Sequence, residues 1–179
     1  MTKQSQQNGF TLVEVMIAVF VFAIGMLGLA GLQLKSYQST SMAHTRTSAT
    51  LLASSLAERM RSNLNGVTAN SYNLATVPVS TAPGTQDPTC TASGCGSNQM
   101  ALNDIFEWAT EVNNALPGAT VAVCIDSVPE FVPVGAPGAN IVCDAVGNEW
   151  VIYIDWLDRV RIDNPNQTIT KRFTFSFVP

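Results

Sequence analysis

Glu14 is the only charged side chain between Phe10 and Leu34, a stretch that is otherwise almost wholly apolar. About twenty apolar residues suffice to cross a bilayer as a helix. A charge held at mid-membrane costs on the order of 2.5–3.5 kcal/mol by insertion scales. Such a carboxylate asks for a partner, and two readings compete. In one, Thr11-Leu12-Val13-Glu14 is a T-x-x-E capping box, with Thr11 capping the first turn and Glu14 returning to a free amide. The helix macrodipole favours a negative charge there as well. In the other, Glu14 pairs with a positive charge brought from elsewhere. A free amino terminus on Phe10, released by a cut after Gly9, would supply it.

The remaining chemistry-bearing residues are few. Cys90, Cys95, Cys124 and Cys143 are spaced C-x4-C and C-x18-C, a poor fit to structural zinc signatures. Two disulfides in an oxidising, extracytoplasmic domain suit them better. Three connectivities are open to four cysteines, and the sequence-local pairs Cys90–Cys95 and Cys124–Cys143 are the expectation. His44 is the single histidine, set among Ser and Thr, so a Ser-His-Asp or Cys-His arrangement would depend on it alone. It reads as a solvated residue. Asp155, Asp158, Asp163 and Asn164 could gather around calcium, but their spacing fits no EF-hand loop and reads better as an acidic turn. No glycine cluster has the strand–loop–helix setting of a phosphate-binding loop. The expectation is a protein without catalytic residues, metal or cofactor.

Charge is unevenly placed along the 179 residues. From Ser62 onward eleven Asp and Glu face Arg159, Arg161, Lys171 and Arg172, so this part carries 4 − 11 = −7. That excludes a nucleic-acid binder, which needs a basic footprint. Lys35, Arg46, Arg59 and Arg61 lie earlier, in the part that must position Glu14.

That part, Phe10 to about Leu64, holds no proline and reads as one helix roughly 80 Å long. Its first half is apolar all round, as a membrane segment is. No small-residue cleavage site follows the apolar run, so it is retained rather than removed as a secretory signal. Beyond Lys35, Ala49, Leu52, Ala53, Leu56, Met60 and Leu64 recur at three- and four-residue steps. Ser, Thr, His44, Arg46 and Arg59 fall on the other face. Gly25, Gly28 and Gly31 are spaced G-x-x-G-x-x-G, unlike the G-x-x-x-G dimer motif. Asn65-Gly66 reads as the turn that ends the helix, and the sequence to about Cys95 as an irregular connection. Ser97 can cap a second helix whose stripe is Ala101, Ile105, Trp108, Ala109, Val112 and Leu116, stopped by Pro117-Gly118. Three strands follow, Thr120–Ile125, Glu149–Trp156 and Lys171–Val178. Alternation of Trp150, Ile152, Ile154 and Trp156, and of Phe173, Phe175 and Phe177, buries one face. The fold class expected is α+β, an antiparallel sheet laid against the amphipathic half of the long helix.

Gly9-Phe10-Thr11-Leu12-Val13-Glu14 followed by an apolar helix resembles the class III signal of type IV pilins and type II secretion pseudopilins. The resemblance implies that a prepilin peptidase cuts after Gly9 and methylates Phe10. It also implies that Glu14, then the fifth residue, pairs with the terminal amine of a neighbouring subunit. Major pilins carry a proline where Gly31 stands. Leu51-Leu52-Ala53, Leu56 through Asn63, and the head pattern Cys90, Cys95, Met100-Ala101, Asp104, Glu107-Trp108 and Leu116-Pro117-Gly118 are similar to the PilV-type minor pilins. The implied organisation is a leader over 1–9, a transmembrane and assembly half over 10–33, an amphipathic half over 34–64 and a head over 65–179. The implied function is assembly, priming or modifying a type IV pilus. Its partners would be the major pilin, other minor pilins, the assembly platform, the prepilin peptidase and a tip adhesin. The protein would reside in the bacterial inner membrane with its head in the periplasm, and in the extracellular pilus. A type II secretion pseudopilin and a membrane-anchored ligand-binding head are the alternatives.

Overall fold

The computed structural model describes residues 11–78, 90, 93–129, 137–139, 141–159 and 168–179. The first element, α1, runs over Leu12–Ser62, 51 residues without interruption, and nothing in its sequence breaks it. A one-turn helix, α2 (Leu64–Thr68), follows at once, and α3 spans Ser97–Ala115. Four strands, β1 (Leu74–Pro78), β2 (Thr120–Ile125), β3 (Trp150–Arg159) and β4 (Thr168–Phe177), form one antiparallel sheet in the order β1-β2-β3-β4. The arrangement is α+β, as expected. The chain divides into two compact units, Met1–Met42 and Ala43–Pro179.

Within the second unit, one face of the sheet and two helices share a core. Ala49, Ala53, Leu56, Ala57 and Met60 of α1 are fully buried, together with the whole expected stripe of α3. Trp150, Ile152, Ile154, Trp156 and Phe177 come from the sheet, with Phe173 and Phe175 packed partly buried against them. Burying a side chain of this size stabilises by about 1.5–3 kcal/mol, so helix and sheet hold each other. The register sets Ile154 opposite Phe173 and Ile152 opposite Phe175, which puts the two alternating series on one face.

Several expectations need correction. Leu64 is 54% exposed and outside the core. The helix stops at Ser62, so the three-and-four step that carries Met60 inward no longer applies at Leu64. Asn65-Gly66 does not form the turn; both residues lie inside α2, where the Asn63 side chain accepts from the Gly66 amide at 3.2 Å. Glycine is required there because an added Cβ would meet Asn63 Nδ2 at 2.5 Å and the Ser97 carbonyl at 2.9 Å. The left-handed turn position falls instead on Asn70, φ +57°. Ser97 is the first residue of α3 rather than its cap. Gly96 caps, and its amide donates to Gln99 Oε1 at 3.1 Å, the return half of a capping box. Finally, the region after the helix is not wholly irregular, because β1 pairs with β2. Its Pro78 is tolerated because β1 is an edge strand.

The other face of the sheet is also covered. Ala122, Cys124, Val151 and Tyr153 are buried in a second, smaller cluster, with Ile141 and Cys143 packed against it. The expectation of a single buried face missed this. Trp150-Val151-Ile152-Tyr153-Ile154 is a continuous apolar run, the pattern of a strand buried on both sides.

Candidate functional site

The site on which the sequence reading turns is the start of α1. Thr11 makes the N-terminal turn: its hydroxyl oxygen accepts from the Glu14 amide at 3.3 Å, and its carbonyl accepts from the Glu14 and Val15 amides at 3.1 and 3.3 Å. The forward half of the capping box is therefore formed. The return half is not, since the Glu14 carboxylate has no hydrogen-bond or ion-pair partner among the described residues. Leu12, Val13, Val15, Met16 and Ile17 around it are all exposed. The arrangement presents one anionic group on an apolar helix surface, able to accept a cation that the described residues around it do not provide. Gly9 and Phe10 lie outside the described residues.

A second constellation ties α1 to α3 inside the second unit. Arg59 does not lie on a solvated face as expected. Its guanidinium donates to Glu107 Oε2 and to Glu111 Oε1, each at 2.9 Å, with Asp104 at 3.8 Å. These acids recur along α3 at three- and four-residue steps and so share one of its faces. Beside them Trp108 donates its indole N–H to the Leu52 carbonyl at 2.9 Å. The Tyr72 hydroxyl donates to Asp104 Oδ2 at 2.5 Å and accepts from Asn63 Nδ2 at 3.2 Å. Burial, then the Asp104 carboxylate, push the Tyr72 phenol well above its usual range. Burial likewise raises Asp104 above the usual carboxylate range, opposed by the Tyr72 hydrogen bond and by Arg59. Asp104, Glu107 and Trp108 of the head pattern are thus contacts of the fold.

The cysteines pair locally: Cys90 with Cys95 and Cys124 with Cys143, at Cα separations of 4.6 and 6.1 Å. The second bridge ties the segment around Cys143 to β2. Asp144 holds the same segment by accepting from the Ser127 amide and the Val146 amide at 3.0 and 2.9 Å and from the Ser127 hydroxyl. Those bonds, the Ser127 hydroxyl foremost, lower the Asp144 carboxyl below its usual range. Further along the sheet Asp155 and Arg172 form a fully buried, bidentate pair, Nε to Oδ1 and Nη2 to Oδ2 at 2.8 Å each. The Gly138 amide also donates to Asp155, and Arg172 to the Ala139 carbonyl. Sequence reasoning weighed Asp155 as a calcium ligand and preferred an acidic solvated turn; Asp155 is instead fully buried on β3, its carboxylate occupied by Arg172 and Gly138. Asp158 sits half-buried on β3, while Asp163 and Asn164 lie outside the described residues. Asp126 is buried as well, accepting from the Tyr153 hydroxyl at 2.6 Å. Arg172 and Asp126 were missed because nothing in their spacing marks a partner across the sheet.

Among the described residues no group of three or more His, Cys, Asp or Glu could hold a metal. His44 is exposed on α1. An open groove of ≈ 640 Å³ lies between α2 and the Cys124–Cys143 bridge, over Ile125 and Trp150. Its lining contains no ionisable side chain.

The chain has one helix, among the described residues, long and apolar enough to cross a membrane; the mean hydropathy of its most apolar window is 2.6. Comparison with known families adds two matches. The prokaryotic N-terminal methylation motif matches residues 4–30, and the family described as type IV pilin Tt1218 matches residues 31–106. No curated protein and no solved structure matches the chain. The two family matches adjoin without a gap from residue 4 to residue 106, over α1, α2, β1 and the first part of α3, and the chain belongs to the type IV pilin superfamily.

Proposed function

We propose that this pilin is a minor subunit, of the PilV type, that primes or modifies the assembly of a type IV pilus. Residues 1–9 are its leader, removed by a prepilin peptidase that cuts after Gly9 and methylates Phe10. Residues 10–33 anchor it in the bacterial inner membrane with the head on the periplasmic side, and 34–64 form the spine that carries that head. The observation that carries the reading is the carboxylate of Glu14. Thr11 does the capping, which leaves the Glu14 charge for the terminal amine of a neighbouring pilin's Phe10. In apolar surroundings that attraction is strong. Its other partners are the major pilin, other minor pilins, the assembly platform and a tip adhesin. The role is structural: the pilin family is one of filament subunits, and the local disulfides and buried ion pair stiffen a head that performs no chemistry of its own.

Mass spectrometry of filaments sheared from cells tests the reading. The expected result is this chain among the sheared material, beginning at a methylated Phe10. A chain that begins at Met1 in working cells, or that is found only in membranes with a full complement of filaments beside it, contradicts it. Replacing Gly9 with a bulky residue should leave the longer form in the membrane.

A further inference from the structure

We infer that Arg46 is a contact point between subunits, taking a carboxylate from the acidic head of a neighbouring pilin. The inference rests on the filament-subunit reading above. Arg46 does not lie opposite the buried stripe of α1, where its sequence setting put it. Ala49, Ala53 and Met60 stand three, seven and fourteen residues further on, steps that return to one face of a helix. All three are fully buried. Arg46 therefore extends the buried line by one turn, past the point where the chain's own head covers it, and is exposed.

The other described cations have partners or neighbours that account for them. Arg59, Arg61 and Arg172 each meet a carboxylate at 2.9 Å or less. Lys171 has Asp158 on the next rung of the same sheet face, since Trp156 pairs with Lys171 and Asp158 with Ile169. Lys35 follows directly on the apolar run, where the membrane-anchored reading sets lipid headgroups beside it. Arg46 has no such group. The positions one turn away along α1 are Met42, Ala43, Ala49 and Thr50, and no described carboxylate reaches its guanidinium.

In a filament the stem of each subunit is covered by others, and a cation taken out of water is costly unless a carboxylate meets it. Heads of this kind have carboxylates to spare. From Ser62 onward the chain carries 4 − 11 = −7. On α3, Asp104, Glu107 and Glu111 gather around the single guanidinium of Arg59, and the Glu111 side chain remains 46% exposed. The two surfaces are unlike, a stem cation against a head carboxylate. Such a heterologous contact repeats along an open filament instead of closing a pair.

Filaments sheared from cells carrying Arg46→Glu test this. Processing, membrane level and unfolding of the head should match wild type, while abundance in the sheared material should fall ~10-fold, the effect of setting like charges together. Arg46→Lys keeps the charge and adds an amine, and should incorporate within ~3-fold of wild type. A zero-length carbodiimide should link that amine to an Asp or Glu in the head of a different pilin. The link should weaken in about 1 M salt, where charges are screened beyond ~3 Å. Normal abundance of the Arg46→Glu form, or an amine that links only within its own chain or to nothing, overturns the proposal. Loss of the Arg46→Glu form from membranes as well as filaments overturns it too, since a lipid phosphate or the fold itself is then the partner. Absence of the wild-type chain from sheared filaments sinks the filament-subunit reading beneath it, a result read before any variant is made.

Discussion

The two ends of α1 carry apolar surface of similar quality and use it in opposite ways. Between Ala49 and Met60, Ala49, Ala53, Leu56, Ala57 and Met60 are fully buried in a core shared with α3 and the sheet of the same chain, and Leu51 alone among the apolar side chains is well exposed. From Leu12 to Leu34 every large apolar side chain is exposed. One end is solved by folding; in the proposed function the other is covered by lipid and by other subunits. A helix with no covalent break can therefore belong half to a fold and half to an assembly. Which half is which follows from what the rest of the chain supplies.

If that difference is real, equal truncations should give unequal results. Leu56→Ala leaves a hole in the head core and should lower the unfolding free energy of the detergent-solubilised chain by about 2–5 kcal/mol. Val19→Ala should leave the unfolding of the head within about 0.5 kcal/mol of wild type, as for a change outside any packed site. Thermal or denaturant unfolding followed through the buried tryptophans reads both.

Charge behaves in the same divided way. In the head the Asp155–Arg172 pair is buried and bidentate. Arg172→Met should cost about 3–5 kcal/mol by stranding Asp155, and the double change with Asp155→Leu should recover most of it. Reduction of Cys124–Cys143, or its replacement by alanines, should cost about 2–4 kcal/mol, and loss of the shorter Cys90–Cys95 loop less. Non-reducing peptide maps should show these two links and no others.

The smallest effect concerns pH. Burial raises Asp104 in the folded state, so the folded protein binds its proton more readily than the unfolded one. The stability this contributes is complete below the ordinary aspartate value of 3.8 and is lost as pH rises through the elevated folded value. Asp104→Asn should therefore show a smaller fall in unfolding free energy over that window. A parallel pair of pH profiles would remove the effect from the account.

Much of this was legible in the residues. The steps at Ala49, Ala53, Leu56 and Met60, the α3 stripe and the alternating aromatic series each have a period that identifies the element and its buried face. What stayed hidden depends on partners distant in sequence. Arg59 reads as a surface charge until α3 brings Glu107 and Glu111 to it. Asp155 reads as a calcium candidate until β4 sets Arg172 opposite, in register. Leu64 follows the helical period one step past the point where Asn63 breaks it. At the start of α1, sequence offered two roles for Glu14 and favoured charge pairing over capping alone. Thr11 forms the forward half of the cap without the Glu14 carboxylate, and separating capping from charge falls to mutation.

Glu14→Gln tests that separation most directly. Glutamine keeps the shape and the capping competence of the side chain and removes only its charge. Processing at Gly9 and membrane insertion should survive, since an intramembrane charge has gone. Incorporation should not: crosslinks of the mature variant to partner pilins, and its abundance in sheared filaments, should fall at least ~10-fold, the loss of one strong charge pair in apolar surroundings. Normal crosslinking and normal abundance of the glutamine form would show that Glu14 serves the helix end alone.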